Sequence, residues 1–359
     1  MNEASPPIVT FGLIAYRQEK YIREAIEGAF AQRCSAMEII LSDDCSPDGT
    51  FDIMAEMAAS YRGPHTVRVR REPINVGTVQ HLINIARAAH GELLVVAAGD
   101  DVSYPDRARK LYDAWKESGA AALASHHDEI DAEGRMLSKS VSFAPSTVTQ
   151  WLFGNERQAH RINGIIQTVP GFCAAYPRAF WADLPDPPRR LLVEDGLAGA
   201  LIIFRGERIH RVAQSLVAYR LLDDSLSNRR GGVTVDEIRL REAKINRHAH
   251  DSLASIDFLI DLARRENLVI QPKTIAALAK GRAQNALIAD YWNNGAFARI
   301  ARLANIRSVV DAKFHLPRLF GMRVFAALRI RLEKRQTRRL TSELKRLPQS
   351  ARARQTLAQ

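Results

Sequence analysis

The stretch ELLVVAAGDD, residues 92–101, runs from buried-type residues into a glycine and then two adjacent carboxylates, Asp100 and Asp101. The apolar run is short and nearly unbroken, which predicts a strand covered on both faces. Its ending raises a question of charge, because two neighbouring anions repel and the local sequence offers them no evident partner. Working outward, the same kind of segment recurs. IVTFGLIAY from Ile8, MEIILS from Met37, the short alternating VRVRR from Val67 and ALASHHDEI from Ala122 read as further strands. Between them, apolar residues recur at helical spacing. Tyr21, Ile22, Ala25, Ile26, Ala29 and Phe30 share a face within Glu19 to Ala31, and Phe51, Met54, Ala55 and Ala58 do so within Phe51 to Ala59. Val79 to Ala89 reads as a third helix, and a fourth begins at Pro105 and runs to Ser118. Strands alternating with helices over short connections predict an α/β domain with a mostly parallel sheet flanked by helices.

Beyond this first part, residues 1–130, the pattern loosens. Residues 131–235 carry turn signals at Asp131 to Gly134, Pro170-Gly171 and Pro185 to Pro188. A helical C-terminal region is expected over residues 236–312, with long helices from Val235 to Glu266 and from Lys273 to Ile306, and a basic tail over 313–359. No internal repeat or low-complexity tract interrupts the chain.

The 359 residues are 46% hydrophobic, enough for a sizeable core. No run of about 18 apolar residues predicts a membrane-spanning helix, and the polar start MNEASPPIV is unlike a secretion signal. Three widely spaced cysteines, Cys34, Cys45 and Cys173, argue against a disulfide framework or a zinc site. A cytoplasmic protein is expected. The net charge of +11 sits in the tail, where thirteen Lys/Arg face two acids and 13 − 2 = 11; residues 1–312 are neutral.

In an open parallel sheet, ligands bind outside the carboxyl ends of the strands. Two acidic pairs fall there, Asp43-Asp44 after the second strand and Asp100-Asp101 after the fourth. Carboxylates gathered at one cleft call for a cation or a donor-rich ligand. Magnesium binds through one or two carboxylates plus substrate phosphates, so a metal diphosphate suits such a site. The competing explanation is local, since aspartates at strand ends also cap helices and close turns. Asp48 is read that way, as a helix cap. His126 and His127 are adjacent on a strand and point to opposite faces, which argues against a shared metal.

With these residues placed, the chain resembles the inverting nucleotide-sugar glycosyltransferases of family 2, with the GT-A fold, a Rossmann-like sheet. The matching pieces come in the family's order. They are AYRQEKYIREAIEGAFAQ from Ala15, ILSDDCSPDGT from Ile40, NVG at Asn75 to Gly77, ARAAHGELLVVAAGDD from Ala86, PGFCAAYPRAFW from Pro170, LLVEDGLAG from Leu191 and YRLLDDSLSN from Tyr219. The resemblance spans residues 8 to 228. It implies that Asp44, with Asp43, meets the nucleotide base, and that Tyr16 and Glu19 line that pocket. Asp100 would bind a divalent metal, Mg2+ or Mn2+, that holds the donor diphosphate. Asp101 would support the metal or face the sugar. Asp195 would be the general base, with Glu194 beside it, although acids at a helix start also suit the helix dipole. Three places depart from the family pattern. Ala98 stands where an aspartate is common, Ile14 and Arg17 stand for Pro and Asn, and Leu222, followed by Asp223 and Asp224, stands where some members have histidine.

The resemblance also implies a sugar transfer to a glycan or lipid-linked acceptor, as in bacterial surface polysaccharide synthesis (O-antigen, capsule or exopolysaccharide). The tail, with Phe320, Val324, Phe325, Leu328 and Leu332 on one side of a helix and many arginines, suits an anionic membrane surface. A core-packing helix with a solvated basic end fits it equally well. With the tail on lipid, the cytoplasmic enzyme would be peripheral on the inner face of the membrane. Nucleic acid is disfavoured, because no stacking aromatics interleave the basic residues. The alternatives are a nucleotidyltransferase, for which residues 8–20 lack a glycine-rich basic loop, and a non-catalytic binding module for sugar nucleotides or membrane surfaces. A nicotinamide enzyme is disfavoured, since no GxGxxG follows the first strand.

Overall fold

The computed structural model describes residues 8–142 except 36, 169–222 except 189 and 193, 234–292 except 290, and single positions between 318 and 331. Asp223, Asp224 and most of the basic tail lie outside the described residues. The chain divides into two compact units, one of Met1–Leu226 with Asp251–Ala283 and one of Ser227–His250 with Gln284–Gln359.

The first unit opens with the expected alternation: β1 (Val9–Ala15), α1 (Ile22–Phe30), β2 (Met37–Asp43), α2 (Thr50–Ser60), β3 (Thr66–Arg71), α3 (Thr78–Ala88) and β4 (Leu93–Ala98). A two-residue strand β5 (Val102–Ser103), α4 (Arg107–Ser118), β6 (Ala122–Ile130) and β7 (Met136–Val141) follow. After residue 168 come β8 (Ala174–Pro177), α5 (Arg178–Ala182), α6 (Glu194–Phe204) and β9 (Ile209–Arg220). α7 (Val235–Arg265) and α8 (Pro272–Ile288) complete the elements. Their starts agree with the two long helices read from the sequence, but the second ends at Ile288, with turns at 289 and 291–292, short of the expected Ile306; residues 293–306 lie outside the described residues.

The sheet runs β3-β2-β1-β4-β8-β6-β9-β5, with β7 beside β6. β1 to β4 pair in parallel, as do β6 and β9. β8 enters antiparallel between β4 and β6, and β5 and β7 are antiparallel edge additions. The sheet is thus mostly parallel and flanked by helices, as the sequence predicts. β4 shows why its residues form a strand. Leu94 and Val96 enter a core with α3, α5 and α6, while Leu93, Val95 and Ala97 enter a second core with α1, α2 and α4. Alternate side chains point to opposite faces, and both faces are covered, so every position must be apolar.

In the second unit Ile238, Phe325 and Ala326 form a small core. Arg318 is buried there, donating to Glu242 Oε1 at 2.7 Å and Oε2 at 2.8 Å and lying over the Phe325 ring. Of the tail's expected apolar face, Phe325 is buried and Val324 is exposed; Phe320, Leu328 and Leu332 lie outside the described side chains.

Candidate active site

The sheet order places the two acidic pairs side by side. β1 lies between β2 and β4, with Ala15 beside Asp43 and Ile14 beside Ala98. Asp43-Asp44 and Asp100-Asp101 therefore flank the end of β1, where Tyr16 emerges exposed. This is the expected grouping of Tyr16, Asp43, Asp44, Asp100 and Asp101. Glu19 is also at this end, exposed, and its Oε2 accepts the N–H of Gly49 at 3.0 Å at the start of α2. Asp48 is not the expected helix cap: Gly49 is the N-cap of α2, and Asp48, one residue earlier, closes a turn with Oδ1 accepting from the N–H and hydroxyl of Thr50.

The four aspartates are not equivalent. Both oxygens of Asp44 are taken by main chain, Oδ1 by the N–H of Val76 at 2.7 Å and Oδ2 by that of Gly77 at 3.0 Å. Gly77 is needed in this turn, because its φ of 81° is a conformation that side-chain-bearing residues rarely adopt. Burial pushes the Asp44 carboxyl up, and the two amides oppose that shift. Asp43 is fully buried; its Oδ2 accepts the Ser46 N–H at 2.9 Å and pairs with Arg71 Nε at 3.2 Å. Its Oδ1 has no partner among the described residues. Of this pair, Asp43 therefore keeps one oxygen wholly unpartnered, whereas each oxygen of Asp44 already accepts one main-chain N–H.

At the end of β4, Asp101 is buried and accepts the N–H of Arg220 at 2.8 Å through Oδ1, while Oδ2 has no partner among the described residues. Burial and the adjacent Asp100 charge push the Asp101 carboxyl well above the usual range. Asp100 is half-buried, accepts from the Gln18 side chain and is raised by burial. Two arginines answer the charge problem that the sequence left open. Arg220, buried, donates from Nε to the Asp100 carbonyl at 2.9 Å and from its other nitrogens to the carbonyls of Asp131 and Ala132 and to Glu24 Oε2. Arg107, fully buried, donates to Ser103 Oγ and to the carbonyls of Val96 and Phe172. Desolvation pulls the Arg107 guanidinium down to about 10, and the nearby acids Cys173 and Asp101 oppose it.

Among the described residues, no group of three or more His, Cys, Asp or Glu is placed to hold a metal ion. The carboxylate available to a cation here is Asp100, with the buried Oδ2 of Asp101 behind it. One such carboxylate is compatible with magnesium or manganese when substrate phosphates complete the shell. His126 and His127 form no shared site; His127 is buried and packs edge-on against Phe172 and Tyr219.

The other pair, Glu194 and Asp195, opens α6 and is half-buried. β8 is antiparallel to β4, with Ala175 beside Val95, so the residues leading into it lie toward the carboxyl end of β4. From there the N–H of Gly171 donates to Asp195 Oδ1 at 2.6 Å. Any side chain at position 171 would meet Glu194, since a Cβ there would stand 2.2 Å from Oε1. Burial and the Asp195 charge push Glu194 well above the usual range, and burial lifts Asp195 to about 6. The two carboxyls are joined by a hydrogen bond, which raises Glu194 and holds Asp195 down against burial. A half-buried carboxylate with a pKa just below neutrality has the properties of a general base.

Residues 10–184 match the model of glycosyl transferase family 2. The uncharacterized protein Rv1520 of Mycobacterium tuberculosis is 42% identical over 89 residues, 24% of this chain and 25% of that protein. The succinoglycan biosynthesis protein ExoO of Rhizobium meliloti is 31% identical over 140 residues, 36% of each. The matched region thus spans about a quarter to a third of the length of these relatives. The structure of S. aureus TarS (residues 1–349) in complex with UDP-GlcNAc is similar over 92% of both chains, with a TM-score of 0.47 and 16% identity. Glu194 and Asp195 lie beyond the residues that the family model matches. The chain carries a glycosyltransferase family 2 domain, and the carboxylates at the ends of β2 and β4 fall within it.

Proposed function

We propose that this protein transfers a sugar from a nucleoside-diphosphate sugar, with inversion, to a glycan or lipid-linked acceptor in bacterial surface polysaccharide synthesis. The observation that carries the reading is the Glu194-Asp195 pair. Its anion is poised near neutrality, held by the Gly171 N–H, at the same end of the sheet as Asp100. An acceptor hydroxyl is a weak nucleophile, and Asp195 would take its proton as the new bond forms. A single base with no second carboxylate flanking the bond as nucleophile gives one displacement and inversion at the anomeric carbon. Glu194, carrying a proton, would orient Asp195 through their hydrogen bond.

On the donor side, Asp43 offers its spare oxygen to the base, with Tyr16 and Glu19 at the rim. Asp44 supports that pocket by fixing the turn at Val76 and Gly77. Asp100, backed by Asp101, would hold a divalent cation, which when bound supplies positive charge against the departing diphosphate. The name of ExoO supports the polysaccharide setting. No helix among the described residues is long and apolar enough to cross a membrane. The tail's basic charge is compatible with an anionic lipid surface, which would bring a lipid-linked acceptor to the site.

The test is calorimetry against a panel of nucleoside diphosphates with and without MnCl2, followed by NMR of the anomeric configuration in the product. Metal-dependent binding of one nucleotide, lost in Asp100→Ala, and a product of inverted configuration are expected. No binding of any nucleotide, or retention of configuration, would defeat the reading.

A further inference from the structure

The two acidic centres are joined by a pair of stacked rings. Phe172 and Tyr219 lie with centroids 4.1 Å apart and planes at 23°. Each ring is one residue from a main-chain N–H that holds a carboxylate of the site. Gly171, before Phe172, donates to Asp195 Oδ1 at 2.6 Å. Arg220, after Tyr219, donates to Asp101 Oδ1 at 2.8 Å. The stack is therefore a two-ring link between the base and the donor-side acids, which otherwise come from segments far apart in sequence. His127 packs edge-on against both rings, at 5.1 Å and 5.7 Å, and blocks one direction of slip. The main chain of Phe172 is fixed as well, since its carbonyl accepts from Arg107 at 2.8 Å, and Arg107 also binds the carbonyl of Val96 in β4.

We infer that Phe172 and Tyr219 are positioning residues that set the separation between Asp195 and the donor held at Asp100-Asp101. This rests on the transfer reading above. Displacement requires the attacking oxygen to be held about 3–3.5 Å from the anomeric carbon and in line with the leaving group, and a misplacement of about 1 Å can lower the rate about a hundredfold. The base and the donor acids belong to different elements, α6 and the end of β4. The β4–β8 pairing and Arg107 bring the two elements together, and the stack adds the side-chain contact that spans from one carboxylate's anchor to the other's. An aromatic stack prefers an offset, near-parallel arrangement that an aliphatic side chain does not reproduce.

The experiment compares wild type with Phe172→Leu, Tyr219→Leu, the double variant and Tyr219→Phe. Two readouts need no acceptor. They are the Kd of UDP and of GDP by calorimetry in MnCl2, and the rate at which UDP-N-acetylglucosamine or GDP-mannose is hydrolysed by water, which uses the same base. The expected result is a hydrolysis rate about tenfold to a hundredfold lower in each leucine variant, with the nucleotide Kd within about twofold of wild type. The double variant should be no slower than the worse single one, because the rings act as one unit. Tyr219→Phe keeps the stack and should keep most of the rate. Leucine variants that hydrolyse donor at the wild-type rate, or a double variant whose loss is the product of the two single losses, would overturn the inference. So would a nucleotide Kd that weakens in step with the rate, which marks a damaged donor pocket. Wild-type protein that binds no nucleoside diphosphate of the panel overturns the transfer reading and the stack's role together, whereas wild type that binds and hydrolyses while the variants match it overturns the stack alone.

Discussion

The main-chain N–H of Arg220 holds Asp101 Oδ1 at 2.8 Å, and the Arg220 side chain reaches back to the carbonyl of Asp100 at 2.9 Å. One residue at the end of β9 thus secures both acids at the end of β4. Its guanidinium also serves the carbonyls of Asp131 and Ala132 and the carboxylate of Glu24, so all three nitrogens of the planar fork are used. Arg220→Gln leaves buried carbonyls without donors and should destabilise the fold by about 3 kcal/mol. Glu24 is half exposed, so Glu24→Gln should cost less than about 1 kcal/mol. Urea denaturation reads both, and an Arg220→Gln loss below that of Glu24→Gln would refute this account of the turn.

How much of this was legible in the sequence divides along physical lines. The strands at Val9, Met37 and Leu93 were readable because both of their faces are covered, which forces unbroken apolar runs. The acids at their ends were readable because strand ends in a parallel sheet converge. Arg107 was not. In PDRARKLYDAWK it looks like any basic residue of a surface helix, and its burial depends on β8 and the Phe172 turn closing over it. Arg220 stood inside a quoted motif, yet its bonds reach segments that the β5–β9 and β6–β9 pairings bring together. The division of labour between Asp43 and Asp44 was also hidden, because it turns on which oxygens the turn at Val76 and Gly77 consumes.

That division makes a second prediction. Asp44→Asn keeps one oxygen and replaces the other by an NH2 group, which cannot accept from a main-chain N–H. One of the Val76 and Gly77 amides then loses its partner, at a cost of about 1–3 kcal/mol. Asp43→Asn should weaken nucleotide binding more than Asp44→Asn does, since Asp43 has the spare acceptor. Thermal denaturation and calorimetry of the two variants separate these roles, and a reversed order of nucleotide affinities would assign the base contact to Asp44.

Burial lifts Asp195 to about 6, so a base at this position is ionised above that pH. Turnover should fall about tenfold per unit below pH 6 and level off above it. The stability effect has the opposite sense. The folded state holds this proton more tightly than the unfolded chain, whose carboxyl titrates near 3.8. Stability attributable to Asp195 is therefore lost as pH rises from 3.8 to about 6, and the loss is complete at pH 7. Asp195→Asn should abolish transfer, by a factor of about 100 or more, while leaving stability at pH 7 equal to or above wild type. A variant both inactive and clearly less stable at pH 7 would show that the carboxylate serves the fold.

Gly171 offers the sharpest separation of base geometry from base identity. Its N–H must reach Asp195 while Glu194 occupies the space above its α-carbon. In Gly171→Ala the new methyl would stand 2.2 Å from Glu194 Oε1, and the flexible end of Glu194 must swing away. Asp195 then loses the hydrogen bond from Glu194, which holds its carboxyl down against burial. Two changes should appear together, a turnover lowered about tenfold or more and an acid limb displaced to higher pH. Both acids are still present, so the displaced limb reports the lost hydrogen bond. A lower rate with an unmoved limb would mean that Glu194 does not set the proton affinity of Asp195, and Asp251, which the same helix start approaches, would be the next group to vary.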